Sequence, residues 1–172
     1  MRLFIALSFT DEVKEKLYRR ALLLKNSSSQ GTFSRRENLH LTLAFLGEVE
    51  RKQLGKIKAV MESIEAPALN ISFSTLGRFP GRDGDIAWLG MDAAPELTAY
   101  AESLCEKLRE QGFAIDKRPF KAHLTLGRRV KPSIIPKKLK QDDVITTDKI
   151  RISLMESQRI NGVLTYTELF HI

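Results

Sequence analysis

The tetrapeptide His-Leu-Thr-Leu occurs twice, at residues 40–43 and 123–126, and takes up two of the three histidines in the chain. Side chains alternate between faces in an extended strand. His40 and Thr42 therefore share one side and Leu41 and Leu43 the other, and His123 and Thr125 divide from Leu124 and Leu126 in the same way. Each strand offers leucines to a core and an imidazole with a hydroxyl to something polar. Packed about an approximate two-fold axis, the two strands bring both imidazoles and both hydroxyls to one cleft. Such a site suits a phosphodiester. Imidazole titrates near 6.5, so a neutral ring can take a proton from attacking water while a protonated partner gives one to the leaving oxygen. Each transfer is typically worth roughly 10²–10⁴ in rate. The hydroxyls can donate to the non-bridging oxygens, where charge concentrates in the transition state.

Other chemistries lack their residues. No HxH, HExxH or carboxylate cluster accompanies the histidines, so neither a metal nor another cofactor is expected. No nucleophile elbow or Cys/His motif is present, and the single Cys105 reads as a small buried apolar residue. Five residues after each histidine stand Phe45 and Arg128. On strict alternation both fall on the leucine face. A bend at Gly127 would turn Arg128 toward a phosphate, which its guanidinium can grip bidentately. Phe45 is expected to pack in the core, with stacking on a base as its other use. Arg35 and Arg36 read as an exposed loop pair, with phosphate contact at the cleft rim the alternative. His171, the penultimate residue, is expected at the surface with no role.

The chain has 172 residues, 28 Lys and Arg against 21 Asp and Glu, a net charge of +7 and a pI near 9.6. That excess is compatible with a polyanionic partner and equally with a solvated basic surface. No apolar run is long enough to cross a bilayer. The opening MRLFIALSF lacks a small-residue cleavage site and reads as a first strand, not a signal peptide. With one cysteine and no disulfide framework, the cytoplasm is the expected compartment; a monomer without an obligate protein partner is also expected.

The elements that must position the motifs follow from periodicity. Strands are predicted over 2–9, 39–47, 69–77, 85–91, 123–130, 149–157 and 162–172. Helices are predicted over 11–25, 50–64 and 95–112, the last opened by Pro95 and stopped by Gly112. NSSSQGT (26–32) reads as a polar loop, and two prolines exclude a regular helix from KPSIIPKKLKQDD (131–143). The motifs lie about half a chain apart, in matching strand contexts. This predicts an α+β fold: one bilobed domain over 1–172, with two pseudo-symmetric antiparallel sheets backed by helices and a central cleft.

ENLHLTLAFLGEV and RPFKAHLTLGR resemble the paired HxTx signatures of the two-histidine (2H) phosphoesterases. MRLFIAL, LGRFPGRDGDIAWLG and GVLTYTELF are similar to the branch of bacterial and archaeal RNA 2′,3′-cyclic phosphodiesterases, historically called 2′-5′ RNA ligases. The chain departs from many relatives in having Arg36 and Ala122 where they have prolines before the motifs. The resemblance implies metal-independent hydrolysis of a terminal 2′,3′-cyclic phosphate on RNA to a 2′-phosphate. It implies His40 as proton donor to the leaving 3′ oxygen and His123 as proton acceptor from water. Thr42 and Thr125 would hold the phosphate with help from Arg128, and the partners would be RNA 3′ ends or small cyclic nucleotides. Sequence symmetry does not itself say which histidine is acid. A binding module that only holds phosphate, and reversible 2′-5′ joining of RNA ends, use the same groups and stay open.

Overall fold

The computed structural model describes residues 1–92 and 94–172. The apolar run after Met1 forms β1 (Arg2–Phe9), and Thr10 then caps α1 (Asp11–Asn26). Its Oγ1 accepts from the Val13 amide at 3.5 Å, and Asp11 and Glu12 stand in the electropositive first turn. α1 buries Val13, Leu17, Ala21 and Leu24, the stripe its spacing predicts. β2 (Gln30–Phe33) corrects the polar loop expected there. β3 (Leu41–Glu48) carries the first HLTL. α2 (Leu54–Glu62) begins later than its pattern suggests, after a 3₁₀ turn over Arg51–Gln53 in which Glu50 and Gln53 cap each other. β4 (Ile71–Phe79) and β5 (Asp85–Met91) pair antiparallel. α3 (Pro95–Glu110) has Pro95 in its first turn and leads to Gly112, whose φ of 87° suits a helix stop. β6 (His123–Lys131) carries the second HLTL, followed by the short β7 (Lys137–Lys138) and β8 (Ile145–Thr147). β9 (Ile150–Ile160) and β10 (Val163–His171) close the chain through Asn161–Gly162. Both turn residues have positive φ, 51° and 79°, as a two-residue hairpin turn demands.

The strands run β10-β9-β1-β3-β6-β5-β4-β7, with β2 added to β6 and β8 to β4. Two antiparallel lobes, β10-β9-β1-β3 and β6-β5-β4 with their short partners, meet where β3 pairs β6. The only registered pair there is Leu41 with Leu124, the second residue of each HLTL. The two expected sheets are thus joined edge to edge at one point. In both lobes a strand leads through a helix back to a motif strand beside it, as β1-α1-β3 and β5-α3-β6.

Alternation fails at matching places in the two motif strands. Ile5 and Ala6 of β1 pair with Ala44 and Thr42, so Leu43 is an extra residue; Ala87 and Trp88 of β5 pair with Gly127 and Thr125, so Leu126 is one too. Each is a β-bulge that sends two successive residues inward, Leu43 with Ala44 and Leu126 with Gly127. The residue after each pair then emerges on the histidine side. Phe45 is 48% exposed, which corrects the expectation that it packs in the core, and Arg128 is exposed as the bend at Gly127 allows.

A single apolar cluster runs through both lobes, including Leu3, Leu7, Leu41 and Leu43 from one and Leu89, Leu124 and Leu126 from the other. α1 follows β1 yet lies against β6, and α3 follows β5 yet lies against β3. Each helix therefore covers the motif strand of the opposite lobe. We expect one cooperative unfolding transition, with tryptophan fluorescence and far-ultraviolet dichroism coinciding in urea. Leu124→Ala, at a fully buried side chain, should lower stability by about 2–5 kcal/mol without splitting that transition. Two separated transitions would make the lobes independent domains.

Candidate active site

Both histidines are tied back by the same device. His40 Nδ1 lies 2.7 Å from the Asn38 carbonyl, and His123 Nδ1 lies 2.7 Å from the Lys121 carbonyl, in each case two residues upstream. A carbonyl only accepts, so Nδ1 carries the hydrogen in both rings and Nε2 is left for chemistry. His40 Nε2 lies 3.0 Å from Thr42 Oγ1. His123 Nε2 makes no hydrogen bond among the described residues. Extending the antiparallel register one step either way from Leu41–Leu124 sets His40 across from Thr125 and Thr42 across from His123. All four expected side chains line one cleft, and Phe45 and Arg128 line it with them.

Each imidazole stands between aromatic walls that periodicity did not single out. The Phe4 ring is 4.8 Å from His40, and Tyr166 meets it edge-on at 5.2 Å. Phe79 meets His123 edge-on at 5.0 Å, and Trp88 lies 6.4 Å away. The Trp88 ring occupies a slot over Gly77 and Gly90, where a Cβ at either position would collide with it. The Lys121 ammonium sits 4.9 Å from the Phe79 ring and 5.2 Å from that of Trp88.

These surroundings favour neutral rings. Burial is the main force lowering the pKa of His40 to about 4; the hydrogen bond to Asn38 opposes it, and the Arg128 charge adds to it. His123 is lowered for the same reasons, burial first, with Lys121 and Arg128 both contributing positive charge. The cleft, about 900 Å³, is lined by four arginines, Arg2, Arg35, Arg128 and Arg159, and by no Asp or Glu. The Arg128 guanidinium has neither a salt bridge nor a hydrogen bond among the described residues. The pair Arg35 and Arg36 divides. Arg35 lines the cleft and lies 3.4 Å from the Glu37 carboxylate, while Arg36 reaches Asp11 at 3.2 Å and Glu15 at 3.3 Å on α1. His171 pairs with Glu168 at 3.0 Å outside the cleft, and half-buried Cys105 lies with its sulfur 3.8 Å from the Leu43 carbonyl. No group of three or more His, Cys, Asp or Glu among the described residues could hold a metal ion, and no described helix is long and apolar enough to cross a membrane.

Residues 12–158 match the model of the 2′-5′ RNA ligase superfamily. An RNA 2′,3′-cyclic phosphodiesterase of Archaeoglobus fulgidus is 40% identical over 130 residues, covering 74% of this chain and 72% of the relative. The protein of that name from Escherichia coli is 30% identical over 129 residues, covering 74% and 71%. Among solved structures, Escherichia coli LigT complexed with 3′-AMP superposes with a TM-score of 0.81 at 24% identity, covering 99% of this chain and 96% of that one. A protein of Thermus thermophilus gives 0.81 at 25% identity with the same coverage.

Two measurements follow from the geometry. Trp88 is the only tryptophan, and a protonated imidazole beside an indole quenches it. Its fluorescence should titrate with a midpoint below 6.5, and His123→Gln should remove the transition; a midpoint at or above 6.5 contradicts the lowered pKa. Stability should respond to His40. Its folded pKa lies below the unfolded value near 6.5, so between pH 6.5 and 4 the unfolded chain binds the extra proton. Its contribution is full above 6.5 and lost as pH falls, up to about 3 kcal/mol by pH 4. Urea titrations should show His40→Gln losing less stability than the native sequence over that interval.

Proposed function

The chain belongs to the 2′-5′ RNA ligase superfamily, and from that premise we propose that it is a metal-independent RNA 2′,3′-cyclic phosphodiesterase that leaves a 2′-phosphate. The observation carrying this reading is the pair of imidazoles, each held by Nδ1 with Nε2 toward one cleft lined by arginines and by no carboxylate. The name borne by relatives up to 40% identical supports it. Phosphoryl transfer needs the attacking and leaving oxygens roughly in line, and acid and base stationed on opposite sides of a local two-fold axis suit that requirement.

His123 is the base. Burial keeps its ring neutral and no hydrogen bond occupies its Nε2, so it can take a proton from water as the oxygen attacks phosphorus. The bond from phosphorus to O3′ breaks, and His40 Nε2 delivers a proton to O3′. Before that step His40 must be protonated, which the free site disfavours. A bound phosphate supplies the negative charge that raises its pKa, in part by neutralising Arg128. In the resting site Thr42 Oγ1 donates to His40 Nε2; once that nitrogen is protonated, the hydroxyl is released to bond a phosphate oxygen with Thr125. Arg128 grips the same oxygens, and Phe45 offers a face to a base. The reacting group includes a ribose 2′ oxygen, so ordinary DNA ends do not qualify.

His40→Ala and His123→Ala should each lower turnover of a cyclic-phosphate-ended oligoribonucleotide roughly 10²–10⁴-fold, with no effect of a chelator on the native protein. Activity near the native rate in either variant sinks the proposal, and a 3′-phosphate product sinks the assigned direction of ring opening. Tight binding of a 2′-phosphorylated nucleotide without turnover would instead identify a binding module. Both histidines titrate low in the free protein, so the bell of kcat/KM should peak below pH 6.5. On its acid side His123 is protonated and cannot accept; on its alkaline side His40 has lost the proton it must give. Arg128→Gln removes a positive neighbour from both rings. It should lower kcat/KM about 10- to 100-fold and move the bell to higher pH.

A further inference from the structure

The cleft continues well past the two histidines. β1 pairs with β9 only as far as Leu3 with Glu156, and beyond that point β9 and β10 run on as a two-stranded ribbon to the turn at Asn161–Gly162. Leu164 pairs with Arg159 and Tyr166 with Ser157, and these four side chains lie on one face and line the cleft. On that face the ribbon end is apolar as well as basic, with Leu164 39% exposed beside Arg159. Next to it the Arg2 guanidinium lies 5.2 Å over the ring of Phe45. The ribbon is anchored to the motif strand, because Asn38, whose carbonyl orients His40, donates from Nδ2 to the Leu164 carbonyl at 2.9 Å.

Apolar and aromatic faces beside the Arg2 and Arg159 guanidiniums, neither of which has a carboxylate partner among the described residues, are the chemistry that holds single-stranded nucleic acid. Stacking surfaces take bases of any sequence, and the arginines take the intervening phosphates. A cyclic phosphate at a 3′ terminus leaves the chain only one direction in which to continue. Resting on the function proposed above, we infer that the β9–β10 ribbon, with Arg2 beside it, is a subsite for the nucleotides on the 5′ side of the cyclic phosphate. The preferred substrate is therefore a single-stranded oligoribonucleotide and not a cyclic mononucleotide. A duplex end keeps its bases stacked and paired, away from Leu164, and is a poorer fit.

The test is a length series of cyclic-phosphate-ended oligoribonucleotides, from one to six nucleotides, with the native protein and the Arg159→Ser/Leu164→Ser double variant at the exposed ribbon. In the native protein kcat/KM should rise about 10-fold from one nucleotide to three and then level off. Its decline with salt should be steeper for the longer substrates. The double variant should lose the rise while hydrolysing the cyclic mononucleotide within about twofold of the native rate. A flat series, or a variant that loses mononucleotide and oligonucleotide turnover equally, overturns the ribbon subsite and leaves the phosphodiesterase standing. A duplex end turned over as fast as the single strand overturns the single-strand preference. No turnover of any member overturns the phosphodiesterase itself, and the subsite with it.

Discussion

Backbone pairing between the two HLTL strands is confined to Leu41 and Leu124, both fully buried. An antiparallel pair has a local two-fold axis, so the residues flanking this bridge are placed in equivalent positions by geometry alone. The rest of the site depends on that contact. A longer ladder would hold the two motif strands side by side along their lengths. A single pair lets them diverge, which opens a cleft on the polar side while the leucines close the core beneath it. The crossed helices keep the junction from acting as a hinge, since α1 and α3 each cover the other lobe's motif strand.

Symmetry at the bridge gives way to asymmetry a few residues on. The bulges at Leu43 and Leu126 occupy the same place in each strand, and each turns the residue five beyond the histidine into the cleft. One lobe delivers the aromatic face of Phe45 and the other the guanidinium of Arg128. The walls differ too, with Phe4 and Tyr166 around His40 and Phe79 and Trp88 around His123. A duplicated scaffold has thereby acquired two chemically distinct sides without a change in its motif.

The HLTL face division was legible in the sequence because a period of two needs no knowledge of neighbours. The stripes of α1 and α3 were legible for a similar reason, being local patterns with local caps. Phe45 was not, because a bulge is an agreement between two strands and leaves no mark in the bulged strand alone; at Arg128, Gly127 gave a hint that Ala44 did not. β2, β7 and β8 are short edge strands with little apolar content, defined by ladder hydrogen bonds that composition does not encode. Tyr166 and Phe4 come to His40 from opposite ends of the chain, and only the sheet order brings them together. The division of Arg35 from Arg36 depends on where Asp11 and Glu15 project from α1.

The charge pattern explains how two similar histidines can serve different ends. In the free protein both rings are held neutral, chiefly by burial and then by Arg128, and no Asp or Glu lines the cleft to oppose this. A neutral imidazole is already a base. It becomes an acid only when something negative enters, and among the groups facing this cleft no such charge exists. On the proposed reaction the substrate's phosphate is that charge, so the proton donor is completed by the molecule it acts upon. The two rings differ in what their Nε2 meets: that of His40 faces the Thr42 hydroxyl, which can turn to a phosphate oxygen once the ring is protonated, whereas that of His123 has no protein partner among the described residues. Position relative to the attacking and leaving oxygens, and not the order of the two pKa values, then assigns the roles.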